Sequence, residues 1–322
     1  MNKPKDEPGL QTILSHCGRN LEASGGYVNV PPYEGSTILH DDMEDLFGRV
    51  DNHLYGDGTA QTYGTDGGPT HEAFYDAMNK LEGGAGTWAF STGLAGCTIP
   101  MMAFLKTGDH MLVTDSVYGP TRQFCEVLLK NFGVEAEFYE PTIGAGIEKL
   151  IRPNTRLIYM ESPGTHTFEM QDVPAIAAVA RKYNIVTMID NTYATPLNFQ
   201  PLKHGVDVVV HSATKYICGH SDVLMSTVTC NEKTWKQVRA VCKMTGQYAS
   251  AQSVYLGLSG LRTLKVRLDA VGVHTRKVVD WLLKREEVKK VIWPAYEKDP
   301  GYRIYKRDYS GPIGLFAFQF QD

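Results

Sequence analysis

Two runs decide the fold of this chain, Arg156-Leu157-Ile158-Tyr159-Met160-Glu161 and Ile185-Val186-Thr187-Met188-Ile189-Asp190, with a helical pattern over 173–183 between them. Both are apolar through their middle instead of alternating, which is the signature of a strand buried on both faces. Two such strands joined by an amphipathic helix form a βαβ unit, and that connection makes the strands parallel. The same rhythm extends outward, to expected strands at 87–91, 110–114 and 134–139 on one side and at 206–211 and 224–229 on the other. Helical patterns at 95–105 and 121–132 fill the gaps. The spacing therefore predicts an α/β fold, a mostly parallel central sheet with helices on both faces.

The flanks read differently. Residues 1–60, with Gly25-Gly26 and Pro31-Pro32, read as an extended N-terminal arm with little periodicity. The large domain spans 61–250 and opens on a helix expected to start at Thr70 as N-cap, with Phe74, Met78 and Leu81 on one side and Gly83-Gly84 as its stop. Residues 251–322 read as a linking helix and the start of a smaller α+β domain. The pattern turns long and helical from about residue 232, over 235–244 and then 253–268 and on to about 284, followed by strand-like 288–293 and 314–320.

Composition narrows the function. With 322 residues, 43% hydrophobic and 21% charged, the chain has the make-up of a globular protein of one large or two ordinary domains. Lys plus Arg (32) against Asp plus Glu (36) gives −4, with no block of like charge, so neither a nucleic-acid nor an anionic-membrane partner is expected. No apolar run reaches the roughly 18 to 20 residues of a membrane span, and the first residues lack a signal peptide's apolar core, so a cytoplasmic location is expected. The six cysteines form no C-x-x-C pair and read as reduced thiols. Cys218, His220 and Asp222 alternate on too short a segment to close a tetrahedral metal site, so no metal is expected.

In a parallel sheet, ligands gather at the carboxyl ends of the strands. Four loops there carry reactive residues. Ser91-Thr92-Gly93-Leu94 turns into a helix whose first amides can hold a phosphate, Tyr118 follows the 110–114 strand, Asp190 ends the 185–190 strand, and Ser212-Ala213-Thr214-Lys215 follows the 206–211 strand. Taken singly each has an ordinary explanation: a helix cap for Asp190, a solvated surface amine for Lys215, packing for Tyr118, a tight turn for Gly93. Together they match the needs of pyridoxal phosphate. That cofactor requires an amine for its aldehyde, an acid for its ring nitrogen, an aromatic face, and amides or hydroxyls for its phosphate.

Ser212-Ala213-Thr214-Lys215-Tyr216, followed by Gly219-His220-Ser221-Asp222, resembles the lysine signature of the Cys/Met-metabolism (trans-sulfuration) family of pyridoxal-phosphate enzymes. Supporting matches are Tyr63-Gly64, Leu81-Glu82-Gly83-Gly84, Ser91-Thr92-Gly93, Glu161-Ser162-Pro163, Asp190-Asn191-Thr192 and Gly260-Leu261-Arg262-Thr263-Leu264. Glu161-Ser162-Pro163-Gly164, Met244-Thr245-Gly246-Gln247 and Lys306-Arg307-Asp308-Tyr309-Ser310-Gly311 are similar to the family's bacterial cystathionine β-lyases.

The resemblance implies a fold-type I pyridoxal-phosphate enzyme that splits L-cystathionine, an amino-acid thioether, into homocysteine, pyruvate and ammonia. Lys215 would bind the cofactor and shuttle protons, Asp190 would face the ring nitrogen, and Tyr118 would stack on the ring. Gly93, Leu94, Ser212 and Thr214 would hold the phosphate, and Tyr63 would arrive from a neighbouring subunit of a homotetramer built as a dimer of dimers. Other family activities, a γ-lyase or γ-synthase, or a weakly active relative, remain alternatives. A nucleotide-binding enzyme ranks below these, because no G-x-G-x-x-G follows a strand and no P-loop is present. Two departures from the family pattern stand out. Thr65 occupies the place of the family's phosphate-binding arginine, with Asp66 beside it. The family also runs on past residue 322 with the arginine that holds the substrate carboxylate, so a poorly active chain is expected, with Arg262 or another arginine the candidate substitute.

Overall fold

The computed structural model describes residues 8–22, 24–55, 60–311 and 314–321; residues 1–7 and Asp322, on which the reading of the two chain ends draws, lie outside them. The helices are α1 (Leu10–His16), α2 (Met43–Tyr55), α3 (Pro69–Glu82), α4 (Gly93–Thr98), α5 (Gly119–Gln123), α6 (Val173–Lys182), α7 (Thr195–Asn198), α8 (Glu232–Met244), α9 (Ala251–Leu282) and α10 (Tyr302–Asp308). The strands are β1 (Gly86–Phe90), β2 (His110–Thr114), β3 (Glu135–Tyr139), β4 (Thr155–Glu161), β5 (Val186–Asp190), β6 (Val208–His211), β7 (Ser226–Cys230), β8 (Val288–Ile292) and β9 (Ala317–Phe320).

The main sheet has seven strands in the order β1-β7-β6-β5-β4-β2-β3, and β8 pairs with β9 in a separate two-stranded sheet. Pairs β2/β3, β2/β4, β4/β5 and β5/β6 are parallel, whereas β7 runs antiparallel to both β6 and β1. The expected α/β fold with a mostly parallel sheet is therefore present. The two faces are sorted by alternation. On β4, Leu157 and Tyr159 join a core with Phe90, Met101 and Val238, while Ile158 and Met160 join another with Ile176, Phe199 and Trp293. Both faces are buried, which is why these strands read as continuous apolar runs. A third core packs α1, α3 and α9 against Ala213, Ile217 and Cys218 of the loop after β6.

Several local expectations are corrected. The arm contains two helices, α1 and α2. Thr70 does not cap α3: Gly68 is the N-cap and Pro69 opens the helix, where its missing N–H costs nothing. The Thr70 hydroxyl instead donates to Pro31 O (2.6 Å) and accepts from the Tyr33 amide (2.8 Å), tying the arm to α3. The helix expected over 95–105 is split, because Pro100 starts a 3₁₀ turn at Ile99–Ala103. The two helical patterns after residue 253 are one unbroken helix, α9, whose N-cap Ser250 accepts the Ser253 amide (3.2 Å).

Candidate active site

Because β1, β2, β4, β5 and β6 all point the same way, the loops that follow them share one rim, and β7 begins there. Asp190 ends β5 and is buried, with 8% of its surface exposed. Its Oδ1 accepts the Thr192 amide (2.9 Å), and Cys97 Sγ donates to its Oδ2 (3.5 Å). Among the described residues no cation pairs with it. Lys215 is exposed on a tight turn closed by its own amide donating to Ser212 O (3.0 Å).

The loop under Lys215 is fixed from several sides. The Ser212 amide donates to Thr192 Oγ1 (2.7 Å), which ties the ends of β5 and β6 together. Arg267 of α9 donates to the carbonyls of Tyr216 (2.7 Å) and Gly260 (2.8 Å) and from Nε to Thr263 Oγ1 (3.0 Å). Gly260 is required by closeness, since a Cβ there would stand 2.2 Å from Ile217 O and 2.5 Å from Cys218 O. A cleft of about 710 Å³ opens beside the lysine, lined by Lys215, Tyr216, Asp222, Leu224 and Arg267 among others.

The phosphate candidates separate. A Cβ on Gly93 would lie 2.6 Å from Ser212 Oγ, so these two residues face each other across a narrow gap at the start of α4. Thr92 caps that helix by accepting the Ala95 amide (3.2 Å), leaving the Gly93 and Leu94 amides at its open end. Thr214 is engaged elsewhere: its hydroxyl donates to Met225 O (3.1 Å) and accepts the Met225 amide (2.9 Å). Tyr118 is half exposed, and its amide donates to Glu161 Oε2 (2.8 Å). Tyr63 keeps other company, its backbone bridging to Thr37 of the arm while its ring stays exposed.

The two departures look different in three dimensions. Asp66 does not point an unscreened charge outward. Its Oδ2 accepts from the Thr62 amide and hydroxyl (2.8 Å each) and the Tyr63 amide (3.1 Å), and its Oδ1 pairs with Lys243 (3.3 Å). Arg262 is committed to the far side of α9, where it donates to the Leu14 and Ser15 carbonyls at the end of α1 (3.1 and 2.8 Å). That placement removes Arg262 as a substitute for a carboxylate-binding arginine.

Three residues at this rim carried no assigned role in the sequence reading. Cys97 lies one helical turn after Gly93, and that spacing alone could have flagged it. Thr192 stands two residues past Asp190, in the geometry of a side-chain turn. Glu161 sits across the β4/β5 pairing from Asp190, a placement that depends on strand register.

The arrangement fits pyridoxal phosphate on this structure's own terms. A buried carboxylate without a cation suits a protonated ring nitrogen, the lack of a Cβ on Gly93 leaves its amide and the Ser212 hydroxyl close enough to serve one phosphate together, and the exposed lysine suits an aldehyde.

Comparison with known proteins agrees. Residues 11–322 match the model of the "Cys/Met metabolism PLP-dependent enzyme" family. The chain is 39% identical over 312 residues to the cystathionine beta-lyase of Haemophilus influenzae and 38% identical over 311 residues to cystathionine beta-lyase MetC of Escherichia coli. Each alignment covers 96% of this chain and 78% of the relative. A crystal structure of cystathionine gamma-lyase from Lactobacillus plantarum complexed with L-serine superposes with a TM-score of 0.89 at 29% identity, covering 98% of this chain and 79% of that one. A family match over nearly the whole chain, with relatives of 38 and 39% identity along 96% of it, places this protein in the Cys/Met metabolism family of PLP-dependent enzymes.

Proposed function

We propose that this enzyme is a carbon-sulfur lyase acting on L-cystathionine by β-elimination, releasing homocysteine and an unsaturated three-carbon amino acid that water hydrolyses to pyruvate and ammonia. One observation carries the chemistry: an exposed amine, Lys215, shares the strand-end rim with a buried acid, Asp190, that lacks a cation. The likeness to two cystathionine beta-lyases supports the substrate. Bound pyridoxal phosphate supplies an electron sink for the charge left at Cα when its proton departs. Lys215 would hold the cofactor by its amine and, with that amine free, would be the base for the Cα proton and the acid that returns a proton to the departing sulfur. Asp190 would keep the ring nitrogen protonated by its negative charge. Tyr118 would cover the ring face. The Gly93 and Leu94 amides and the Ser212 hydroxyl would hold the phosphate, with Thr214 bracing the loop from beneath.

We further propose that Tyr63 completes the site of a neighbouring copy in a homo-oligomer. Its exposed ring, together with exposed Leu39, Met43 and Phe47 on the arm, supports this reading. A cytoplasmic setting is supported by six free, buried cysteines, and no helix among the described residues is long and apolar enough to cross a membrane.

The test has two parts. Borohydride reduction and peptide mapping should find the pyridoxyl group on Lys215, and the keto acid released from L-cystathionine should be pyruvate. A label on another lysine overturns the site. Mainly 2-oxobutyrate overturns β-elimination in favour of the γ-lyase chemistry named for the Lactobacillus structure.

A further inference from the structure

Glu161 bears on both Tyr118 and Asp190 at once. Its Oε2 accepts the Tyr118 amide (2.8 Å), and its Oε1 hydrogen-bonds the Thr165 hydroxyl. It ends β4 directly opposite Asp190 at the end of β5, and it is 9% exposed. The turn that follows it is locked to the Tyr118 loop, since the Thr165 amide donates to Ser116 O (2.8 Å) and a Cβ on Gly164 would lie 2.2 Å from Ser116 Oγ. Tyr118 itself is half exposed and N-caps a short helix, its carbonyl accepting the Arg122 amide (3.0 Å), so Glu161 holds its amide while the helix holds its carbonyl.

Resting on the function proposed above, we propose that Glu161 is a positioning residue of this enzyme: it holds Tyr118 by its backbone amide in the same buried layer as Asp190, and so fixes the aromatic plate relative to the acid that meets the ring nitrogen. The groups facing Glu161 are Asp190 from β5, Cys97 from α4 and Tyr159 from its own strand. All are acids, and burial keeps the Cys97 and Tyr159 protons in place. Burial first, and the Asp190 charge second, push Glu161 up to about 8. At neutral pH Glu161 thus keeps its proton. An uncharged Glu161 still accepts the Tyr118 amide through its carbonyl oxygen.

The sign of the pH effect follows. The unfolded chain ionises Glu161 near its ordinary value, 4.5, while the folded chain holds the proton up to about 8, so this residue's contribution to stability falls as pH rises between those values. Glu161→Gln retains the acceptor and cannot ionise. In the apoprotein, the Tm advantage of Glu161→Gln over wild type should widen from about pH 5 to pH 8; a gap that stays constant overturns the buried placement.

For positioning, Glu161→Ala should weaken pyridoxal phosphate binding, shift the visible band of the lysine-bound cofactor and lower kcat by about 100-fold with a smaller change in KM, the scale expected for misplacing an aligned group. Glu161→Gln should recover most of each loss. Equal losses in the two variants, or wild-type behaviour of Glu161→Ala, overturn the proposal. Should Glu161→Ala not fold, Thr165→Val, which removes only the second anchor, should give the same band shift in smaller measure, and an unshifted band counts against it. Wild-type protein that fails to label Lys215 refutes the function reading, whereas the apoprotein Tm series still decides the place of Glu161.

Discussion

At the scale of single residues, the rim depends on charge more than on shape. Asp190→Asn keeps the volume and the acceptor for the Thr192 amide but removes the charge that would hold a ring nitrogen protonated. Turnover should therefore fall by about 1000-fold or more, while the urea midpoint of the apoprotein stays at or slightly above wild type, because the change removes a buried carboxylate that no cation among the described residues pairs with. Kinetics and equilibrium unfolding on the same preparation check this, and wild-type turnover would return Asp190 to a purely structural role. The placement of Asp190, Tyr118 and Lys215 on one rim was legible in the sequence, Asp190 ending a strand and Tyr118 and Lys215 each following one by four residues. Glu161 was quoted without a role because its partners lie on another strand and another loop, and register cannot be read from one strand's pattern. Arg262 sat in a conspicuous motif, yet its face of α9 turns to α1, a choice of side set by tertiary packing.

Among elements, α9 does most to locate the lysine loop. Val254, Leu258, Leu261, Leu264 and Leu268 recur at three- and four-residue steps and are all buried, so one side of the helix is clamped to the third core. Gly260 on the same helix lets it approach the carbonyls of Ile217 and Cys218. Gly260→Ala should be costly because the obstructing atoms are backbone: a loss of about 3 kcal/mol in urea unfolding, near the upper end for overpacking, with a drop in kcat as the Lys215 turn shifts. A loss under about 0.5 kcal/mol, the size of an ordinary surface change, would show that the contact relaxes freely. The long strands and helices were legible from periodicity, with most ends displaced by up to three residues. The reversed direction of β7 was not, since an apolar run looks the same from either end. The arm's helices were missed because α1 buries only Leu14 among its seven residues, too little to form a repeating stripe.

For the whole molecule, the proposal that Tyr63 serves a neighbour's site makes activity a property of pairs of chains. Tyr63→Phe and Lys215→Ala should each be nearly inactive, yet co-refolded or co-expressed together they should regain up to about a quarter of wild-type turnover, as random pairing leaves some sites with both native residues. No recovery would place Tyr63 outside the shared site. Arg267 bears on the same scale in time instead of space. With its guanidinium bound to backbone carbonyls on both sides of the loop–helix junction, the main chain around Lys215 has no slow hinge of its own, and only the four-carbon stem is left to swing. Motions of that kind run in picoseconds to nanoseconds, against microseconds to milliseconds for a lid or domain. The stem can thus reorient far faster than a typical turnover of about 1 to 1000 per second, so the swing of the lysine does not by itself limit the pace.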